Sequence, residues 1–437
     1  MNITAPKDKI RKEVNKPYSK NVLQCRFCGS YKTVKFGFNK VKGERKQRYC
    51  CKDCDRTFIP SSKLVKPNTY FNSYSDLGYE KDEYIGKICR LAKKTAYPFL
   101  DFNLHYTAKY DTNTFLDLLA HIAIEHDFTQ NGAKTFRIDR KKSPIGDTLL
   151  YHIKKMKVNS AMENFVKSSE EMFKLAKKSN LFKGRKLDVA IDFHDIAYWG
   201  NKNNPMLVRT NKEQGTSFAF RFATITIVER GKRFTLHTLP VSPLDRNGAI
   251  VDRLITYAKN IIPIDTVYLD RGFFHSREID VLKKHNVKFL MVAVRNERVK
   301  RLIKENEHGV VIDHTMSKST TFKLVITEKD GEKRAFATNL NIGIKRRLLS
   351  LYDLYGKRWG IETSYRIIDH DFKARTTSKR YVIRLFYFLF CVLLYNLWVL
   401  ANVLLASWLL KFIPRKLLVT AKYFGKLFVS TKIKDPG

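Results

Sequence analysis

Three carboxylates stand at places where chemistry is possible. Asp192 is expected to end a first strand, in VAIDFHD, Asp270 to end a later one, in VYLD, and Glu362 lies in YGKRWGIETSYRIIDHDFK, the stretch Tyr355 to Lys373. That stretch reads as a helix, with Tyr355, Arg358, Glu362 and Arg366 recurring at i, i+3, i+7 and i+11 on one face. An acid between two arginines stays ionised, and it can bind a metal or help hold a phosphate. At the carboxyl ends of strands in an open α/β sheet, Asp192 and Asp270 face the crevice where ligands bind. Three acids converging there need cations, and Mg²⁺ or Mn²⁺ is the natural occupant. Two such ions about 3.5–4 Å apart suit an in-line displacement at phosphorus. Each residue also has a plainer reading: a solvated helix face with ion pairs for the helix, a turn residue for Asp192.

A second set is Cys25-x-x-Cys28 and Cys51-x-x-Cys54, with 22 residues between Cys28 and Cys51. Each pair presents two thiolates to one tetrahedral Zn²⁺, and the β-prone stretch between them brings the pairs together. Cys50 is read as a bystander. A unit this small has too little core to fold without its metal. Residues 1–20 are polar and basic with no apolar run, which points to a reducing, cytoplasmic setting.

The elements that must position these residues follow in order. Residues 1–20 are a basic arm, 21–60 the zinc ribbon, and 81–180 a helical region suited to DNA binding or to a plain bundle. Its second helix is expected at Thr112–His126, capped by Thr112 or Asn113. From Lys186 to residue 410 comes a strand, a hairpin (Phe218–Glu229 and Lys232–Pro240), a helix, a strand, a helix and a strand. That order is the one of an RNase-H-like α/β core, with 296–345 as an inserted β subdomain ahead of the Glu362 helix. Residues 411–437 form a basic tail. Tyr381–Trp408 is apolar enough to suggest a membrane span. Its Arg384, Asn396 and Asn402 favour a buried core helix and no membrane.

The 437 residues carry 82 Lys+Arg against 42 Asp+Glu, a formal charge of +40. Such a field calls for a polyanion, nucleic acid first.

LDVAIDFHDIAYWG, VYLDRGFF and YGKRWGIETSYR resemble the three blocks of insertion-sequence DDE transposases with a β-strand insertion before the glutamate. The resemblance covers roughly Lys186 to Leu410, and the zinc ribbon is similar to those that open many such proteins. Tyr355, Arg358 and Glu362 match the family's Tyr-x2-Arg-x3-Glu-x6-Lys signature; the final lysine is replaced by Asp369. The resemblance implies metal-dependent DNA cleavage and strand transfer, with Asp192, Asp270 and Glu362 holding two Mg²⁺ or Mn²⁺ ions. Tyr355, Arg358, Arg366 and Lys373 would grip double-stranded DNA, with Arg366 or Lys373 taking the lysine's role. A homodimer would hold the paired ends. The competing readings are a metal-dependent nuclease and a zinc-ribbon DNA-binding protein without catalysis.

Overall fold

The structure is a computed structural model that describes residues 25, 33–41, 44–52, 55–59, 76–140, 142–179, 182, 186–213, 215–306, 309–317, 319–341, 350–409 and 417–433. These fall into two compact units, one within Met1–Lys81 and Ala406–Leu418, the other within Asp82–Leu405 and Val419–Gly437. The basic arm expected at 1–20 lies outside the described residues, as do Cys28 and Cys54.

In the first unit β1 (Thr33–Val41), β2 (Glu44–Cys51) and β3 (Thr57–Phe58) make a three-stranded antiparallel sheet. Its core is minimal: Cys25, Cys51 and Phe58 are buried together, with Tyr49 packed against them. The Cys51 N–H donates to the Arg56 carbonyl and its own carbonyl accepts from the Asp55 N–H, both at 2.9 Å. The chain therefore turns tightly beside that thiol, with Asp55 in the left-handed region.

The second unit is built on a nine-stranded sheet. Its strands are β4 (Leu187–Ala197), β5 (Val208–Glu213), β6 (Thr216–Ile227), β7 (Thr235–Val241), β8 (Ile264–Leu269), β9 (Lys288–Val292), β10 (Val310–Met316), β11 (Thr320–Lys329) and β12 (Glu332–Thr338). The core order is β7–β6–β4–β8–β9, with β4, β8 and β9 parallel and β6 antiparallel to β4. This is the RNase-H-like arrangement. β4 is buried over Leu187–Ile191 and β8 over most of its length, as expected where a sheet is covered on both faces.

The stretch 296–345 is not a separate layer. β12 pairs antiparallel with β9, so β10–β12 extend the same sheet. The exposed edge that β9 would otherwise present is thereby paired. The Thr338 hydroxyl adds a 2.5 Å bond to the Phe289 carbonyl.

The helices are α1 (Asp76–Ala96), α2 (Thr112–Ile124), α3 (Thr129–Asp139), α4 (Gly146–Lys155), α5 (Val158–Lys178), α6 (Asn247–Ile261), α7 (Ser276–Lys284), α8 (Glu297–Glu305), α9 (Leu351–Tyr355), α10 (Trp359–Asp371), α11 (Tyr381–Leu409) and α12 (Ala421–Ser430). α2 is capped by Asp111, whose carboxylate accepts from the Thr114 N–H at 2.7 Å, and not by Thr112 or Asn113. The true cap lies one residue earlier because Thr112 already has helical geometry.

α11 is long and apolar enough to cross a membrane, yet its most apolar stretch is wholly buried within the protein. Its polar groups explain how it docks. Asn396 exchanges hydrogen bonds with both backbone groups of Thr235 in β7, at 2.9 and 2.8 Å. Asn402 does the same for Val419. Arg384 bonds the Ser378 carbonyl. The helices before the sheet pack on the same spine: Phe102 and Phe165 lie against Phe386, and Thr129 bonds the Tyr387 hydroxyl. The basic tail ends in a core helix. A methyl group on Gly425 of α12 would lie 2.8 Å from the Ile124 side chain of α2, so only glycine allows this approach.

Candidate active site

The two aspartates meet through strand register. β4 and β8 run parallel, and their last paired residues are Ile191 and Leu269. Asp192 and Asp270 are the next residue of each strand. They therefore sit side by side on strands about 4.8 Å apart, on the same face of the pleat. Asp192 is not the end of its strand, as the sequence suggested. β4 continues to Ala197 because β6 goes on pairing with it, from Asp192↔Thr224 to Ala197↔Ala219. β4 therefore outruns β8 beyond the two acids. Asp270 begins a turn of 3₁₀ helix, Arg271–Phe273, with its carboxylate accepting the Arg271 N–H at 2.7 Å. Asp192 likewise accepts the Phe193 N–H at 2.8 Å.

The third acid arrives on a helix that changes pitch. α9 passes through a 3₁₀ turn at Gly356–Arg358 before α10 begins. Tyr355 and Glu362 are therefore not on one uninterrupted α-helical face. The turn drives Arg358 inward, to 7% exposure. Its guanidinium lies 3.2 Å from the Asp192 carboxylate and 2.5 Å from that of Glu362. Tyr355 is also buried, its hydroxyl donating to the Leu269 carbonyl at 3.4 Å, and burial pushes that hydroxyl up to about 12. Tyr365 donates to the Asp192 carbonyl at 3.0 Å and pairs with the Thr224 hydroxyl. It fixes the β4 backbone at the acid. Its place three residues after Glu362 was the signal that could have found it.

Of the four residues expected to grip DNA, Arg366 is exposed, with no hydrogen-bond or ion-pair partner among the described residues. Tyr355 and Arg358 face inward. Lys373 lies beyond α10, which ends at Asp371, so it does not continue the helical face. Its ammonium pairs with Asp369 at 2.7 Å. Asp369 is also 3.4 Å from His194. Burial works against ionisation there, but His194 and Lys373 prevail and hold Asp369 down to about 2. The residue in the place of the signature lysine thus occupies the nearby lysine.

Burial pushes Asp192 up to about 6; Asp270 and Glu362 add to that, while the Phe193 N–H and Arg358 oppose it. Among the described residues, no three His, Cys, Asp or Glu side chains close to metal-binding spacing. Arg358 stands between Asp192 and Glu362 as their cation. The donor set still fits Mg²⁺ or Mn²⁺: hard carboxylate oxygens, that of Asp192 buried with two further acids near it.

A pH prediction follows. With a native value near 6 against 3.8 when unfolded, Asp192 binds its proton more tightly in the folded state. Stability therefore falls as pH rises through that window, by about 3 kcal/mol at most. Urea titrations without divalent cation at pH 4.5 and 7.5 should show this slope in the wild type and a smaller one in Asp192→Asn. Equal slopes would refute it.

Aromatic stacking locks the middle of β4 to the turn that follows β8. Phe193 stacks on Phe273 with centroids 4.9 Å apart. Arg221 covers Phe193 at 5.0 Å and is held by two 2.7 Å bonds to Asp195. The sequence pattern did not single out Phe193, Phe273 or Arg221; the arginine inside the apolar strand FAFRFATITI was the available sign. Phe273→Leu should cost only about 1 kcal/mol in stability. It should slow cleavage about tenfold or more without weakening DNA binding, because displaced acids cost rate steeply. Parallel rate and anisotropy measurements check this.

Residues 234–397 match the family described as Transposase DDE domain, a stretch that includes Asp270 and Glu362 and begins after Asp192. Among solved structures, the chain is similar to piggyBac transposase in a synaptic complex with hairpin DNA. The identity is 10% and the TM-score 0.53, over 82% of this chain and 80% of that one. At that identity the likeness shows a common fold. Endonuclease V from Bacillus subtilis aligns at 12% identity over 50% of this chain and 97% of that one. Its TM-score is 0.23, too low to carry an argument. No curated protein matches the chain.

Proposed function

We propose that this chain, a DDE transposase by its domain at 234–397, cuts the ends of a mobile DNA element and joins them to target DNA. The observation that carries this reading is the meeting of Asp192 and Asp270 where β4 outruns β8, with Glu362 tied to Asp192 through Arg358. Phosphodiester chemistry needs negative ligands for cations beside positive groups for the backbone, and both stand here within one helical turn.

Asp192, Asp270 and Glu362 would hold Mg²⁺ or Mn²⁺, two ions in the full site, which activate the attacking oxygen and stabilise the leaving one. The chain's own residues do the rest. Tyr365 and the stacked Phe193 and Phe273 fix β4 at Asp192 and the turn after β8. Arg358 neutralises the buried acids. Arg366, exposed one turn beyond Glu362, takes a phosphate, a task its planar fork suits. Water attacks the phosphorus at the element's end in the first step, breaking the P–O3′ bond and releasing a 3′-hydroxyl; that hydroxyl attacks a target phosphodiester in the second, displacing a target 3′-hydroxyl, so no enzyme nucleophile is required. We further propose one structural zinc on Cys25, Cys28, Cys51 and Cys54, supported by the shared burial of Cys25 and Cys51. Two copies of the chain would hold two DNA ends.

The test is strand transfer by the full chain with Mg²⁺, on DNA ending in the repeats that flank its gene. Ends cut and joined to a target plasmid are the expected result. Cutting without joining would leave a nuclease, and neither would sink the proposal.

A further inference from the structure

The hairpin of β1 and β2 displays what soluble proteins usually hide. Phe36 and Phe38 are 48% and 52% exposed, and Val34 beside them 39%. Each ring is paired with an arginine. The Arg45 guanidinium lies 4.5 Å from the Phe38 centroid, and that of Arg48 5.2 Å from Phe36. Arg48 and its neighbour Gln47 are tied to the opposite strand. Arg48 donates to the Phe36 carbonyl, and Gln47 donates to the Gly37 carbonyl at 2.7 Å. Gly37 sits in the left-handed region at a break in register between Lys35 and Phe38, with nothing within 4 Å of where a side chain would be. Lys35 and Lys46, both exposed, add charge.

We propose that this hairpin is a stacking platform for unpaired nucleic-acid bases. Exposed rings interleaved with guanidinium planes are the chemistry on which splayed bases stack, while neighbouring cations follow the phosphates. A duplex has no free base faces to offer these rings, and phosphate contacts alone would not use them. A dry protein interface is a poor occupant, since its centre would have to bury both lysines. The inference is independent of the catalytic reading: it concerns other residues and needs no metal at the acid site.

The experiment is fluorescence anisotropy of the full chain, without added divalent cation, on a labelled 20-nucleotide single strand and on the matching duplex. Phe36→Ala/Phe38→Ala should weaken single-strand binding by at least about tenfold, at about tenfold for each stacked base, and duplex binding by less than twofold. Phe36→Trp/Phe38→Trp should keep the single-strand affinity and Phe36→Leu/Phe38→Leu should not, which separates stacking from general apolarity and from misfolding. Arg45→Ala/Arg48→Ala should weaken both. The proposal is overturned if the alanine pair changes neither ligand or both equally, or if the leucine pair binds like wild type. It is equally overturned if sedimentation shows the rings joining two copies of the chain. Loss of strand transfer in other variants would leave this result untouched.

Discussion

Asp192→Asn, Asp270→Asn and Glu362→Gln are each expected to slow DNA end cleavage by about 10³-fold or more, equivalent to about 4 kcal/mol of transition-state stabilisation. The amides keep size and shape but lose the charge a cation needs. Asp192→Asn carries the sharper expectation, because the same change should not weaken the fold. Asp192 is largely buried, and its ionised form is disfavoured by that burial and by two neighbouring acids. Arg358 keeps its closer partner, Glu362, when Asp192 is neutral. Above pH 6 the variant should therefore melt at or above the wild-type temperature while being almost inactive. That pairing marks a strained, charged site kept for function at a cost in stability. Calorimetry beside a gel-based cleavage assay decides it. Retained cleavage in all three variants would remove these acids from the chemistry, and a fall in melting temperature for Asp192→Asn would contradict the account of its burial.

Much of this site was legible because strands and acids coincide in the sequence. LDVAID and TVYLD are largely apolar runs that lead up to a carboxylate, and a buried parallel strand leaves few other readings. The equal register of Ile191 and Leu269 was not legible, since pairing between strands some 70 residues apart depends on the packing of the whole sheet. The helix face failed for a local reason. The pattern Tyr355, Arg358, Glu362, Arg366 assumes constant pitch, and the 3₁₀ turn at Gly356–Arg358 breaks it. The turn sends Arg358 to the acids and leaves Arg366 facing solvent. The role of Lys373 was misjudged for a related reason: periodicity does not show that a helix stops, and Asp371 is where this one does. The inserted stretch 296–345 was read as β structure throughout, yet it opens with the helix α8, and only β10–β12 are strands. That they complete the core sheet follows from the open edge of β9, which no local pattern reveals.

A second large effect is expected far from the acids. Asp117→Ala should destabilise the protein by about 3–5 kcal/mol, a large part of a typical total of about 5–15. Asp117 is an acid inside the apolar helix TNTFLDLLAHIAI, which by itself signals a buried partner. Its carboxylate accepts from Lys93 at 2.6 Å, from Arg140 at 2.9 Å and from the Tyr97 hydroxyl at 3.1 Å. Lys93 is fully buried and also donates to the Thr431 carbonyl, while Arg140 donates to that of Val429. One carboxylate thus joins α1, α2, the end of α3 and the C-terminal end of α12. Removing it leaves an ammonium and a guanidinium buried together without a counter-charge. The sign with pH is fixed by Lys93. Burial already holds its ammonium below the usual range against the pull of Asp117. Without Asp117 the folded state sheds that proton more readily, so the deficit should shrink as pH rises. Lys93→Met in the Asp117→Ala background should recover part of the loss, because it removes the stranded charge rather than a contact. Urea unfolding of both variants at pH 7 and 9 measures this, and hydrogen exchange should show α12 opening first. A deficit below about 1 kcal/mol, or one that grows with pH, would mean that the cluster does not hold the C-terminal helix in place.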